Sequence, residues 1–242
     1  MDSLSLLEEQ AAAWGLPLDR NRRECLLQYA RLLAAYDRAN VIGTRDLDGI
    51  LLAHVLDSLS CFLYRPLSGA GRLADVGSGG GLPGIPIKIV KPELAATLVE
   101  STGKKASFLR YAVESLSLED VEVANVRVEE FGREQRCRRA YDIVTSRAVA
   151  RLSVVAEYGV PLLETGGRVV AMKGRLEQEE LAEGSRAADA LGARVVEIVE
   201  VPMLPAVGEK ERRLVILEKI RETPAQYPRR SGVAARRPLG AG

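Results

Sequence analysis

Between positions 75 and 86 the chain reads Asp-Val-Gly-Ser-Gly-Gly-Gly-Leu-Pro-Gly-Ile-Pro. Glycines at 77, 79 and 81 strip the side chains from one side of a turn and tolerate positive φ. Such a backbone can press closely against a ligand, and an adenosine-like molecule is the kind it suits. The apolar run Arg72-Leu73-Ala74 precedes the turn, and a helix-like run from Ile87 to Val90 follows it. The segment is therefore expected to be strand, glycine turn and helix.

Two cofactors compete for this turn. Gly79-x-Gly81-x-x-Gly84 formally matches the dinucleotide fingerprint, so a nicotinamide-dependent oxidoreductase is one reading. Three features disfavour it. Asp75 stands two residues before the first glycine, where dinucleotide sites usually carry an apolar residue. Pro83 falls where a pyrophosphate needs N–H donors at a helix start, and proline has none. The chain also lacks room for a separate substrate domain. S-adenosylmethionine carries no phosphate. It needs close backbone approach, an acid near its methionine end and a carboxylate for its ribose hydroxyls. The glycine turn and Asp75 are expected to supply the first two. Glu100 closes the run Ala95 to Val99, where a strand-end acid can take both ribose hydroxyls. An exposed strand-end charge is the plainer reading of Glu100 alone.

The elements that must position these groups fall into two patterns. The first third reads as helical. Ser5-Leu6-Leu7-Glu8 has capping-box spacing before a run ending at Gly15, and Asp19 can cap a second helix with apolar Leu26, Tyr29, Leu32, Leu33 and Tyr36. A third helix over 46–63 places Ile50, Leu51, Val55, Leu59 and Phe62 on one side. From Arg72 onward, strands at 72–77, 95–100, 121–126, 141–146, 167–172, 193–200 and 212–219 alternate with helices at 83–91, 103–117, 152–163 and 175–191. That alternation predicts an α/β fold with a seven-stranded, mostly parallel, doubly wound sheet. The last two strands have no helix between them and should form an antiparallel pair at the sheet edge. The expected division is a helical extension over 1–66, a ligand-binding core over 67–221 and a basic extended tail over 222–242.

Composition narrows the function classes. Apolar content of 47% suits a globular chain, and a charged residue interrupts every run of membrane-spanning length. The N-terminus has no basic region typical of a secretory signal, and Cys25, Cys61 and Cys137 form neither a disulfide framework nor a metal pair. With one histidine, His54, no multi-histidine metal site is expected. The reading is a reduced, cytoplasmic protein without a metal. Arg221 to Gly242 holds five arginines and one glutamate, while the rest of the chain is slightly acidic. Nucleic-acid contacts should therefore be local patches. Lys104, Lys173 and Arg212 follow or border strand ends and are the candidates, although any basic cluster can simply be a solvated face. The tail is expected to add to RNA affinity.

The chain resembles the bacterial ribosomal RNA small subunit methyltransferase G family, also called glucose-inhibited division protein B. The likeness rests on Asp75 to Pro86, Glu100-Ser101 with Lys104-Lys105, Arg127-Val128-Glu129-Glu130-Phe131, Ser146-Arg147-Ala148, Lys173-Gly174 and Gly208-Glu209-x-x-Arg212. Arg45-Asp46, His54-x-x-Asp57-Ser58 and Tyr227-Pro228-Arg229-Arg230-x-Gly232 extend it over nearly the whole chain. The run Leu82-Pro-Gly-Ile-Pro86 is far more specific than a bare glycine motif. The resemblance implies a class I S-adenosylmethionine methyltransferase, Rossmann-like in fold, that methylates N7 of one guanine in 16S ribosomal RNA. It implies cofactor contacts at Gly77, Leu82, Val128, Glu129 and Arg147. The partner would be 16S rRNA, the small subunit or its precursor, acted on by a monomer. Two departures, Asn40-Val41-Ile42 where the family often has Asn-Leu-Thr and Ala53 where it often has Arg, lie in the helical extension.

Guanine N7 already exposes a lone pair, so attack on a sulfonium methyl needs positioning and electrostatics more than a general base. The segment Thr145-Ser146-Arg147-Ala148 should face the methyl. It lacks the Asn/Asp-Pro-Pro-aromatic pattern of amino-group methyltransferases and the cysteine of cytosine-C5 enzymes. Arg147 is the candidate catalytic residue, holding guanine O6 or the cofactor; the alternative is a structural arginine paired with a nearby acid. His54 reads as a packing histidine bracing the extension. A non-catalytic RNA- or partner-binding module on the same fold is the remaining alternative.

Overall fold

The computed structural model describes residues 2–203 and 211–241, so Gly208-Glu209 of the motif above lies outside the described residues. Seven strands form one sheet: β1 (Arg72–Val76), β2 (Ala95–Val99), β3 (Val121–Ala124), β4 (Tyr141–Arg147), β5 (Leu163–Lys173), β6 (Ala193–Glu200) and β7 (Arg213–Lys219). Their order is β3-β2-β1-β4-β5-β7-β6. The first five run parallel, and β7 lies antiparallel between β5 and β6. This is the expected doubly wound sheet with an antiparallel closing pair. β5 begins at Leu163 rather than near 167, because Gly166, at φ +88°, carries the strand through an irregularity opposite Tyr141 and Ile143.

Alternate strand residues feed two cores. Leu73, Leu98, Ile143, Val170 and Ile216 face the N-terminal helices, α5 (Gly84–Val90) and α6 (Gly103–Ser115). Ala74, Val76, Val99, Val144, Val169 and Val215 face the opposite layer. That layer holds α7 (Val128–Phe131), α8 (Leu152–Gly159) and α9 (Gln178–Leu191). Both faces are therefore dry, which is what lets a mostly parallel sheet persist.

The N-terminal helices are α1 (Ser3–Ala13) and α2 (Arg20–Ala35). Asp19 caps α2 as expected, but Asp2, not Ser5, caps α1: its carboxylate accepts from the Ser5 N–H. The third helix is not regular. A cap at Asp46 opens α3 (Leu47–Ile50), which widens into a π-helical stretch over Leu51–Leu56, narrows to α4 (Asp57–Leu59) and ends in a 3₁₀ turn over Ser60–Leu63. Leu52, Leu56 and Cys61 are buried together with the expected Ile50, Leu51, Val55, Leu59 and Phe62. The apolar side is thus wider than one helix stripe, because the segment packs in the same core as α1, α2 and the sheet, while Ala53, His54 and Asp57 stay partly open. Among the described residues, no helix is long and apolar enough to cross a membrane.

The tail is held by polar bonds as well as by the packing of Tyr227, Ala234 and Leu239. Arg138 donates to the carbonyls of Thr223 and Tyr227, at 2.8 and 2.5 Å, and Arg133 Nε donates to that of Pro228 at 2.9 Å. A short helix, α10 (Val233–Arg236), follows Gly232.

Candidate active site

The strand order reverses direction at β1, which has β2 on one side and β4 on the other. Ligands of open α/β sheets bind outside the strand ends at such a point. The glycine turn leaves β1 there. Gly77, Gly79 and Gly81 have φ of +72°, +57° and +94°, which disfavours any side chain at these positions. A Cβ on Gly77 would come within 2.6 Å of Val149 Cγ2, so the segment after β4 can lie on this turn only because position 77 is bare. The turn is fixed from outside by Tyr29, a fully buried residue of α2 whose hydroxyl donates to the Gly80 carbonyl at 2.6 Å.

Glu100 follows β2 and belongs to this crevice. One carboxylate oxygen accepts from the Gly79 N–H at 3.0 Å and the other from the Thr102 N–H at 2.7 Å. Each oxygen keeps lone-pair capacity beyond these bonds, which suits a diol donor such as a ribose. Asp75 does not sit as expected. It is fully buried, and its carboxylate is occupied by bonds from Thr145 Oγ1 at 2.9 Å and from the Gly84 N–H at 3.2 Å. Its acid joins β1, β4 and the start of α5.

Burial pushes the Asp75 carboxyl up to about 6. A raised folded-state value means its contribution to stability is full below the ordinary 3.8 and lost as pH rises through about 6. The stability of the parent relative to Asp75→Asn should therefore decline from pH 4 to pH 7. Urea unfolding of both chains across that range checks this, and a constant difference would refute it.

The end of β4 carries a second cluster. Arg147 Nη1 donates to Asp57 Oδ2 at 3.1 Å, and Nη2 lies 3.2 Å from His54 Nδ1. Arg212 Nε reaches the other oxygen of Asp57 at 2.8 Å. Burial and the cations Arg147 and Arg212 depress His54 to about 4, so it is neutral and accepts from Arg147 through Nδ1. Beside the cluster is a cavity of about 210 Å³ whose lining includes Asp57, Ser60, Arg147, Lys173, Arg212 and Met172. Lys173 is tied to Glu180 at 2.6 Å and to the Ala150 carbonyl at 2.9 Å.

The remaining expected residues are placed as follows. Val128 and Glu129 open α7, and Leu82 is buried at the end of the glycine turn. Glu129 Oε1 accepts from the Gly232 N–H at 2.7 Å and from Tyr158 Oη at 3.3 Å, so its side chain faces the tail. Lys104 stands exposed on the first turn of α6. Lys173 and Arg212, by contrast, are engaged with carboxylates and line the cavity.

Gly77, Glu100 and Arg147 thus lie at neighbouring strand ends. The reach of His54 and Asp57 to Arg147 was missed in the sequence, which treated His54 as a brace. The spacing of His54 and Asp57, three apart on one helix, pointed to a local cluster but not to Arg147, ninety positions away. These residues fit an S-adenosylmethionine: a bare backbone cradle, an acid with spare lone pairs and no demand for phosphate donors.

Comparisons with known proteins give the family and the fold. The family described as rRNA small subunit methyltransferase G matches residues 22–214. A curated relative of that name from Rubrobacter xylanophilus is 60% identical over 96% of this chain and 90% of its own length. One from Chloroflexus aggregans is 45% identical over 97% of each. Among solved structures, a Pyrococcus horikoshii protein described provisionally as an RNA methyltransferase aligns with a TM-score of 0.56 and 12% identity, covering 84% of this chain and 98% of that one. A precorrin-6y C5,15-methyltransferase from Geobacter metallireducens aligns at 0.50 with 13% identity, covering 76% and 94%. These two share the fold. The chain belongs to the rRNA small subunit methyltransferase G family.

Proposed function

We propose that this protein transfers a methyl group from S-adenosylmethionine to N7 of one guanine in 16S ribosomal RNA, as a cytoplasmic monomer. The observation that carries the reading is the convergence of the glycine turn, Glu100 and Arg147 on one crevice of a chain in this family. Family membership takes the place of the oxidoreductase alternative.

When bound, the sulfonium cofactor supplies an electrophilic methyl. The backbone at Gly77, the end of the turn at Leu82 and the first residues of α7, Val128 and Glu129, would hold it. Glu100 would accept from its ribose hydroxyls. Guanine N7 attacks as it stands, so no side chain need remove a proton, and the neutral His54 is free to act as a hydrogen-bond acceptor for Arg147. The guanidinium of Arg147 keeps N–H groups beyond those on Asp57 and His54. Directed at guanine O6, they would set the angle at which N7 meets the methyl.

The test is labelled methyl transfer from S-adenosylmethionine to undermethylated small ribosomal subunits, followed by mapping of the modified base. Label at a single N7-methylguanine in 16S rRNA is expected. Label at an exocyclic amine only, or none, would refute the reading.

A further inference from the structure

Two tyrosines outside the active site form a stack on the surface. Tyr36 follows α2 and Tyr111 lies on α6, with ring centroids 6.2 Å apart and planes at 29°. Tyr36 is anchored below by Phe108, edge-on at 4.8 Å. Tyr111 is 48% exposed, and among the described residues it is the one aromatic that is a large exposed hydrophobic. A half-exposed ring stacked on a neighbour leaves part of its π surface open to solvent.

Two concavities flank the stack. One, of about 280 Å³, is lined by Tyr36, Tyr111, Ser107, Asp37 and Arg38 among others. The other, of about 430 Å³, runs from Tyr36 along the loop 39–45 to Arg45. Lys104 lies on α6 one turn before Ser107, in line with Tyr111. Arg38, Arg45 and Lys104 make no ion pair among the described residues, whereas Lys173, Arg212 and Arg229 all do. Asp37 is the one acid in the two linings.

Both carriers of this surface start at the crevice. The loop 39–45 lies on the glycine turn, where a Cβ on Gly80 would come within 2.9 Å of the Val41 carbonyl oxygen. α6 begins three residues after Glu100. A strand that leaves the crevice along α6 or the loop 39–45 would meet these rings.

We propose that Tyr111, backed by Tyr36, is a stacking platform for an unpaired base of the substrate RNA that neighbours the target guanine, with Arg38, Arg45 and Lys104 holding the adjoining phosphates. Aromatic rings that stack splayed bases beside free cations are how proteins grip single-stranded RNA. The platform rests on the functional reading above and adds to it where the RNA lies.

The test compares the full chain with Tyr111→Ala and Tyr111→Phe in binding and methylation of undermethylated small subunits. Tyr111→Ala should weaken RNA binding roughly tenfold and raise KM for RNA. It should leave kcat, S-adenosylhomocysteine affinity and thermal unfolding as in the parent. Tyr111→Phe should restore binding, since it keeps the ring. Combining Arg38→Gln with Lys104→Gln should lower the slope of log affinity against log salt by about 1–2. A parent that methylates the RNA while Tyr111→Ala binds within twofold of it would overturn the platform alone. A parent that neither binds nor methylates the RNA would overturn the functional reading, and the platform with it.

Discussion

Replacing Arg147 by alanine should lower methyl transfer by on the order of a hundredfold while the protein stays folded. The reason lies in what the reaction does to charge. Methylation at N7 turns a neutral guanine into a cation, so a guanidinium beside it cannot help by stabilising the developing charge. Its use has to be geometric. Arg147 is fixed at two points, by Asp57 from the end of the π-helical stretch and by the lone pair of His54 within it. Asp57 also binds Arg212, and its negative charge sits between the two cations. A small misplacement of a reacting base costs about a hundredfold in rate, which sets the size of the expected loss. Arg147→Lys should recover little, because an ammonium can keep the contact with Asp57 but lacks the planar fork that holds two partners at once. Arg212 remains on Asp57 in both variants, so no acid is stranded and Tm should move little. Single-turnover rates at saturating RNA, with S-adenosylhomocysteine affinity and Tm measured beside them, check this. A rate for Arg147→Ala within threefold of the parent would reduce Arg147 to a structural partner of Asp57.

That cluster also shows what could be read in advance and what could not. The strand and helix alternation from Arg72 onward is a local signal, because each strand is a short apolar run and each helix a periodic one. The sheet and the sites of Gly77 and Glu100 followed from it directly. The π-helical stretch was invisible, since a 3.6-residue period is assumed whenever apolar positions are assigned to a helix face. Its wider turn is the local irregularity at which His54 and Asp57 are presented to β4. Pairings such as Asp57 with Arg147, ninety positions apart, leave no local pattern at all. Asp75 misled for a related reason. An acid before a glycine turn reads equally well as a ligand contact or as a latch, and only the Thr145 hydroxyl and the Gly84 N–H decide for the latch. The tail was legible only in part. Few apolar residues predicted an extended chain held by contacts, and composition alone could not show that Arg229 closes on Glu157, a carboxylate buried on α8.

The largest effect on stability should come from that pair. Arg229→Ala is expected to destabilise the protein by roughly 3–5 kcal/mol. Glu157 on α8 is fully buried and receives three donors from Arg229: the backbone N–H at 2.8 Å, Nε at 2.9 Å and Nη2 at 2.5 Å. Removing the guanidinium leaves a carboxylate out of water with the backbone N–H as its one remaining Arg229 donor. That is the condition in which breaking a buried pair costs far more than the intact pair contributes. Glu157→Gln with Arg229→Ala should return part of the loss, because the stranded charge goes with it. The consequence reaches the cofactor crevice. Three residues beyond Arg229, the Gly232 N–H binds Glu129, and Ser231 Oγ binds Glu130, both on the helix that opens with Val128. Release of the tail should therefore loosen α7 and weaken S-adenosylhomocysteine binding. Urea unfolding and calorimetric titration with S-adenosylhomocysteine measure the two effects. If Arg229→Ala unfolds within 1 kcal/mol of the parent, the Glu157 pair is not the clasp described. If stability falls but cofactor affinity holds at a temperature where the chain is folded, the tail braces α8 without shaping the wall of the crevice at Glu129.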